Sequence, residues 1–247
     1  MQLQSNSEWE ALARTDPLFA IASDKGKRKS DAQWTTEEFF KKGIAYLDLL
    51  SPGLSKIVPG ATVLEIGCGA GRITRALAAR YRSVIGVDAA PSMVSLAKEM
   101  CRDIPNAEFR VGDGVILPAT DQGVDAVVSV QVLQHIDRDA IPTILAECRR
   151  VLRPGGVIVL HIPSPWIMMF VRKWLTLVPV RRVVTRWVLR VAPRIDISRR
   201  GWVMGQYNTY TTSRIVGILK RNGFVGIETF QFRPGRPFST VYVATVE

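Results

Sequence analysis

An α/β fold built on a doubly wound, mostly parallel sheet is predicted for this chain by three features of its middle section. Apolar runs alternate with helical ones between residues 61 and 160. The runs are continuously apolar rather than alternating, as in strands covered by helices on both faces. The first of them, Val63-Leu64-Glu65-Ile66, leads straight into Gly67-Cys68-Gly69-Ala70-Gly71 and a helical run from Arg72.

Taken in order, residues 1–59 read as an N-terminal helical cap. Thr35 is placed to cap a helix, with Glu38 three residues on completing a capping box. Phe40, Ile44 and Leu47, with Leu50 or Leu54, keep helical spacing. Ser51-Pro52-Gly53 and Val58-Pro59-Gly60 break the run, and Lys25 to Lys29 form a basic, solvated loop. Strands are predicted at Thr62–Ile66, Ser83–Val87, Ala107–Val111, Asp125–Val130 and Val157–His161. Helices are predicted at Arg72–Tyr81, Pro91–Cys101 and about Ile141–Leu152. Pro154-Gly155-Gly156 reads as a tight turn before the fifth strand. A helix over about Thr212–Asn222, closed by Gly223, precedes two late strands at about Gly226–Phe232 and Ser239–Thr245. There are no internal repeats.

The length of 247 residues suits one such domain plus an insertion. Hydrophobic content of 47% and charged content of 22% are globular values. The three cysteines, Cys68, Cys101 and Cys148, are an odd number without metal-ligand spacing, so neither a disulfide framework nor a metal site is expected. A reducing, cytoplasmic setting follows. Met1 to Glu10 is polar and carries no signal-peptide core. No stretch reaches 18 uncharged apolar residues, so no membrane-spanning helix is expected. The net charge of +11 calls for an anionic neighbour.

That charge is local. Residues 162–210 hold nine of the cations (Arg172, Lys173, Arg181, Arg182, Arg186, Arg190, Arg194, Arg199, Arg200) against one acid, Asp196. Between Pro179 and Pro193, Arg182, Arg186 and Arg190 share one helical face. Val180, Val183, Val184, Trp187, Val188 and Val191 share the other, and Leu189 is the misfit. Three readings stay open: a lid packed on the protein's own core or a second copy, an interfacial helix on an anionic membrane through residues 166–200, and a nucleic-acid contact. The third is weakened by Trp187, which lies off the basic stripe.

The glycine loop is the most informative motif. Glycines allow a tight turn and close approach to a nucleotide-type ligand. A dinucleotide fingerprint needs its third glycine at position 72, where this chain has Arg72. The spacing therefore disfavours a nicotinamide dehydrogenase.

E-x-G-x-G-x-G after a strand resembles motif I of the class I S-adenosylmethionine-dependent methyltransferases, of the type 11-like kind. The resemblance covers residues 60 to 160 well and 211 to 247 loosely. It implies a Rossmann-like, seven-stranded sheet ending in an antiparallel hairpin, with a helical insertion after the fifth strand. The cofactor domain would then be 60–161 with 211–247, and 162–210 a basic amphipathic insertion. The implied cofactor is S-adenosylmethionine. Its implied contacts are Glu65, Gly67, Cys68, Gly69, Gly71, Asp88, Ala89, Met93, Asp113, Gly114 and Gln131.

Within that set, Asp88 would take the ribose hydroxyls, or cap the helix at Pro91, or both. Asp113 beside Gly114 would hold the adenine amino group, or serve as a turn aspartate. Glu65 would face the ligand's ammonium, or pair with a local Arg. Gln131 would border the methionine part. Cys68 owes its place to small size.

His135 and His161 fall at the ends of the fourth and fifth strands and are the candidate general bases, with a packing role as the alternative for each. No Asn- or Asp-Pro-Pro-Tyr run is present, which argues against methylation of base or glutamine amines. The expected activity is methyl transfer to a hydroxyl of a small or lipid-like acceptor. The competing readings are an RNA or protein methyltransferase, and a cofactor-fold membrane-binding module without turnover.

Overall fold

The computed structural model describes Ser7, Trp9, Glu10, Ala11, Ala13, Arg14, Leu18, and residues 35–163, 208–232 and 239–247. The basic segment 166–200 and the patch at 25–29 lie outside the described residues, and with them the lid, membrane and nucleic-acid readings.

Among the described residues there are seven strands: β1 (Thr62–Ile66), β2 (Ser83–Asp88), β3 (Ala107–Val111), β4 (Val124–Val130), β5 (Leu152–Pro163), β6 (Phe224–Gln231) and β7 (Ser239–Val246). They form one sheet in the order β3-β2-β1-β4-β5-β7-β6. Strands β1 to β5 pair in parallel. The last hairpin is antiparallel, with β7 between β5 and β6. This is the doubly wound sheet with a terminal hairpin that the sequence predicts.

Helices α1 (Thr36–Leu49), α2 (Ser51–Leu54), α3 (Arg72–Ala78), α4 (Pro91–Met100), α5 (Ile141–Val151) and α6 (Thr212–Arg221) cover it. Alternate residues of each central strand enter different cores. Leu64, Val127 and Ile158 pack with Leu145 of α5 and Ile215 of α6. Val63, Val128 and Val159 pack with Leu47 of α1 and Leu77 of α3. Burial on both faces is why the strands read as unbroken apolar runs.

Local signals set several boundaries as expected. Thr35 accepts from the Glu38 amide at 3.2 Å, and the Glu38 carboxylate accepts from the Thr35 amide at 3.1 Å. Pro91 opens α4. Thr211 caps α6, and Gly223, at φ +78°, follows its end.

Two expectations need correction. The stripe of α1 that meets the core is Phe39, Gly43, Leu47 and Leu50, whereas Ile44 is 53% exposed and Phe40 half-buried. The reason is Gly43: a Cβ there would stand 2.4 Å from the Arg72 carbonyl oxygen. Close contact with the start of α3 rotates the helix about its smallest residue rather than its largest apolar ones. Second, Pro154-Gly155-Gly156 does not precede β5 but bulges from it. Val124 pairs with Leu152 and Ala126 with Val157, leaving Arg153–Gly156 outside the ladder. Arg153 anchors the bulge through Asp125 at 2.7 Å and the Gln122 carbonyl at 3.1 Å.

Two substitutions check the revised stripe. Gly43→Ala is expected to lose about 1–3 kcal/mol in urea unfolding, the cost of overpacking a fixed contact. Ile44→Ala next to it is expected to stay within about 0.5 kcal/mol.

Candidate functional site

The strand order reverses between β1 and β4, and ligands of doubly wound sheets bind beyond the carboxyl ends at that point. The loop after β1 arrives there. Gly67, Gly69 and Gly71 have φ of +74°, +51° and +82°, a region most side chains avoid. Space is equally restrictive at two of them. A Cβ on Gly67 would meet Val132 Cγ2 at 2.2 Å, in the loop after β4, and one on Gly71 would meet Cys101 Sγ at 2.7 Å.

The loop folds onto the end of β2. The Gly67 and Cys68 amides both donate to the Val87 carbonyl. Cys68 is buried with Val94, Ala97, Cys101 and Phe109, and burial pushes its thiol well up, so it packs beneath the loop rather than reacting. The Gly69 amide donates to Asp88 Oδ2 at 2.8 Å, and the Ala90 amide to Asp88 Oδ1 at 3.0 Å. Burial raises the Asp88 carboxyl, with the Ala90, Gly69 and Ala89 amides opposing it. Asp88 thus sits before α4, close to the capping role, half-buried at the carboxyl end of β2.

The N-terminal cap also reaches this point. The Glu10 carboxylate accepts from the Ser92 amide at 3.0 Å and from the Ser92 hydroxyl. It caps α4, whose own N-cap, Ala90, has no side-chain cap bond. Met93 is buried with Ala90 and Ala13, and Trp9 packs against the same group.

Glu65 lies beneath the loop, 2% exposed. Thr74 donates to it at 2.5 Å, and burial raises its carboxyl to about 8, with Thr74 and Arg72 opposing. No ion pair joins Glu65 to Arg72 among the described residues, so the local salt bridge is not formed.

Asp113 is an exposed turn aspartate whose Oδ1 accepts from the Val115 and Ile116 amides at 2.8 and 2.7 Å. Gly114 beside it has φ +86°. Gln131 is exposed after β4 at φ +57°, its amide donating to the His161 carbonyl at 3.1 Å. A left-handed glutamine here is the kind of strain that marks functional sites. Gln134 supports it by donating to the Gln131 carbonyl at 2.6 Å.

Neither histidine stands open at a strand end. His135 is buried with its ring edge-on to Trp9, centroids 4.9 Å apart, and its Nε2 lies 3.2 Å from the Gln134 amide nitrogen. His161 is 1% exposed, stacked on Phe232 at 4.1 Å, with Nδ1 3.4 Å from the Tyr46 hydroxyl. The covering rings come from the N-terminal cap and the end of β6, which local sequence does not signal.

The structure therefore brings Glu65, the glycine loop, Asp88 and Gln131 around the β1, β2 and β4 ends, with Asp113 one strand further out. Sequence reasoning missed Trp9, Glu10, Tyr46, Arg72, Gln134 and Phe232. Of these only Arg72, next to the loop, carried a local signal. Among the described residues no group of three or more His, Cys, Asp or Glu could hold a metal ion.

A methyltransferase-domain family model matches residues 63–156. A 2-methyl-6-phytyl-1,4-hydroquinone methyltransferase from Synechocystis sp. is 33% identical over 126 residues, 50% of this chain and 39% of that protein. A ubiquinone biosynthesis O-methyltransferase from Xanthomonas campestris is 34% identical over 105 residues, 42% of this chain and 43% of that protein. The chain thus spans about two fifths of the length of these relatives. The N-methyltransferase NodS from Bradyrhizobium japonicum, solved with S-adenosylhomocysteine, aligns with TM-score 0.60 over 97% of this chain and 98% of its own, at 18% identity. That likeness speaks for the fold alone. With the E-x-G-x-G-x-G loop and the sheet order, the family-model match makes residues 63–156 a methyltransferase domain similar to those of the class I S-adenosylmethionine-dependent methyltransferases.

Proposed function

We propose that this chain is a methyltransferase that uses S-adenosylmethionine to O-methylate a small or lipid-like hydroxylated acceptor. The observation that carries the reading is a buried carboxylate, Glu65, placed under a left-handed glycine loop with Asp88 at its edge. A buried carboxyl raised to about 8 is completed by a ligand that brings an ammonium, so the residues fit the cofactor.

Glu65 would face that ammonium, and Gly67, Gly69 and Gly71 would let the backbone approach. Asp88 would take the ribose, since a carboxylate offers about four acceptor positions and the loop amides do not fill them all. Asp113 and Gly114 would hold adenine, Gln131 the methionine end, with Cys68, Ala89 and Met93 shaping the walls. When bound, S-adenosylmethionine supplies a methyl group already activated on a sulfonium.

The protein's task is then to orient the acceptor and remove a proton. Of the two histidines we assign the proton to the buried His161, reached through its hydrogen-bonded partner Tyr46, whose half-buried phenol would relay it. His135, lodged between Trp9 and Gln134, is assigned to packing. The names of two relatives, for a phytylated hydroquinone and for ubiquinone biosynthesis, support a hydroxylated, lipid-like acceptor. So does the apolar, basic composition of 162–210.

The direct test is calorimetry with S-adenosylmethionine, S-adenosylhomocysteine and NAD, followed by labelled methyl transfer to hydroxylated aromatics and lipids. Binding of the first two only, with label recovered as a methyl ether, is expected; binding of NAD alone would refute the reading. Asp88→Ala is expected to weaken cofactor binding by about 1–3 kcal/mol, the scale of a lost buried acceptor.

Glu65 gives a pH signature. Its carboxyl is mostly protonated below about 8 in the free protein. A cationic ligand favours the carboxylate, so binding at neutral pH should release a proton, and affinity should climb as pH rises toward about 8 and level off above it. Calorimetry in buffers of different ionisation enthalpy measures this; equal proton release in Glu65→Gln would remove Glu65 from the role.

A further inference from the structure

We propose that Arg72 is an anion receptor for the acceptor, and that the acceptor carries a carboxylate close to the hydroxyl that is methylated. The inference rests on the methyltransferase reading and names the substrate class within it.

Arg72 opens α3 directly after the glycine loop and is only 7% exposed. Its Nε has no hydrogen-bond partner, and among the described residues it forms no salt bridge. Among the described residues, two aromatic rings flank the guanidinium. Its Cζ lies 5.5 Å from the centroid of Tyr46 and 5.9 Å from that of Phe39. The ring faces contribute cation–π attraction in place of in-plane hydrogen bonds, and Tyr46 adds a favourable influence on the charged form.

A guanidinium does not lose its charge at physiological pH, and a buried charge without a partner is costly. Burial disfavours the charged form here, and Glu65, which favours it through space, is hydrogen-bonded to Thr74. The planar fork of an arginine matches a carboxylate in two hydrogen bonds.

Position supplies the second half of the argument. The half-buried Tyr46 ring is shared: one neighbour is the Arg72 guanidinium, the other the His161 ring, 5.6 Å between centroids, with the phenol bonded to His161 Nδ1. An acid bound at Arg72 would thus present a nearby hydroxyl to the group assigned to remove its proton. Phe232, stacked on His161 and 4.5 Å from Tyr46, continues the apolar wall. The arrangement suits a hydroxylated aromatic or acyl acid. A carboxylate could also come from the methionine part of the cofactor, and the test separates the two.

The experiment is calorimetry on the full chain saturated with S-adenosylhomocysteine. The probes are salicylate, 3,4-dihydroxybenzoate and 3-hydroxydecanoate, each against its primary amide. At least one acid is expected to bind about tenfold tighter than its amide, a modest return for a bidentate charge-assisted contact. Arg72→Gln should abolish that preference. Arg72→Lys, which keeps the charge but loses the fork, should lose most of it while retaining the fold. Both variants should still bind S-adenosylhomocysteine, with a smaller loss than that of the acid preference, which also reports that they are folded. No preference for any acid in the wild type, or one that survives in Arg72→Gln or fully in Arg72→Lys, overturns the proposal. If Arg72→Gln weakens S-adenosylmethionine but not its decarboxylated analogue, the carboxylate is the cofactor's and the proposal also falls. A wild type that binds neither S-adenosylmethionine nor S-adenosylhomocysteine would instead overturn the methyltransferase reading on which it rests.

Discussion

The Asp88 carboxylate accepts from the Gly69 amide with one oxygen and from the Ala90 amide with the other. By doing so it fastens the glycine loop after β1 to the start of α4. Three elements depend on that attachment. The loop can hold its left-handed glycines only if something fixes its far side, because an isolated run of such residues is entropically loose. The start of α4, lacking a side-chain cap of its own, is presented to Glu10. And Trp9, carried on the same helical stretch as Glu10, reaches His135 after β4. The N-terminal cap therefore bridges the β2 and β4 ends across the crevice, rather than resting on the outside of the sheet.

How much of this the sequence discloses follows from the range of each interaction. Strand positions were legible because two-sided burial leaves a continuous apolar run in the chain itself. The capping box of Thr35 and Glu38 was legible because both partners sit within one turn. The glycine loop was legible because backbone conformation is a local property. The α1 stripe was misread because its cause, the Arg72 carbonyl facing Gly43, lies 29 residues away in sequence. The β5 bulge was hidden because its excess length shows only against β4. In the site, Asp88 and Glu65 could be named from strand ends, but their partners could not. Glu10 meets Ser92, Trp9 meets His135 and Tyr46 meets His161 across separations that carry no periodic signal. The histidines illustrate the cost: strand-end position suggested openness, and distant aromatics covered both.

Glu65 and Arg72 flank the glycine loop as two buried charge-bearing groups that do not bond each other. For stability alone, a well-packed apolar pair would serve as well or better. Their presence beside the glycine loop fits a functional role, since perturbed titratable groups gather at functional sites. Each lowers the cost of the other's charge through space, as the opposing influences of Arg72 on Glu65 and of Glu65 on Arg72 indicate. That coupling has a consequence for order. With Glu65 protonated, Arg72 is the uncompensated charge. When a cofactor ammonium draws Glu65 into its ionised form, the two new charges cancel locally and Arg72 keeps its excess. On the proposal above, the acceptor carboxylate is the group that neutralises Arg72 once the cofactor has bound.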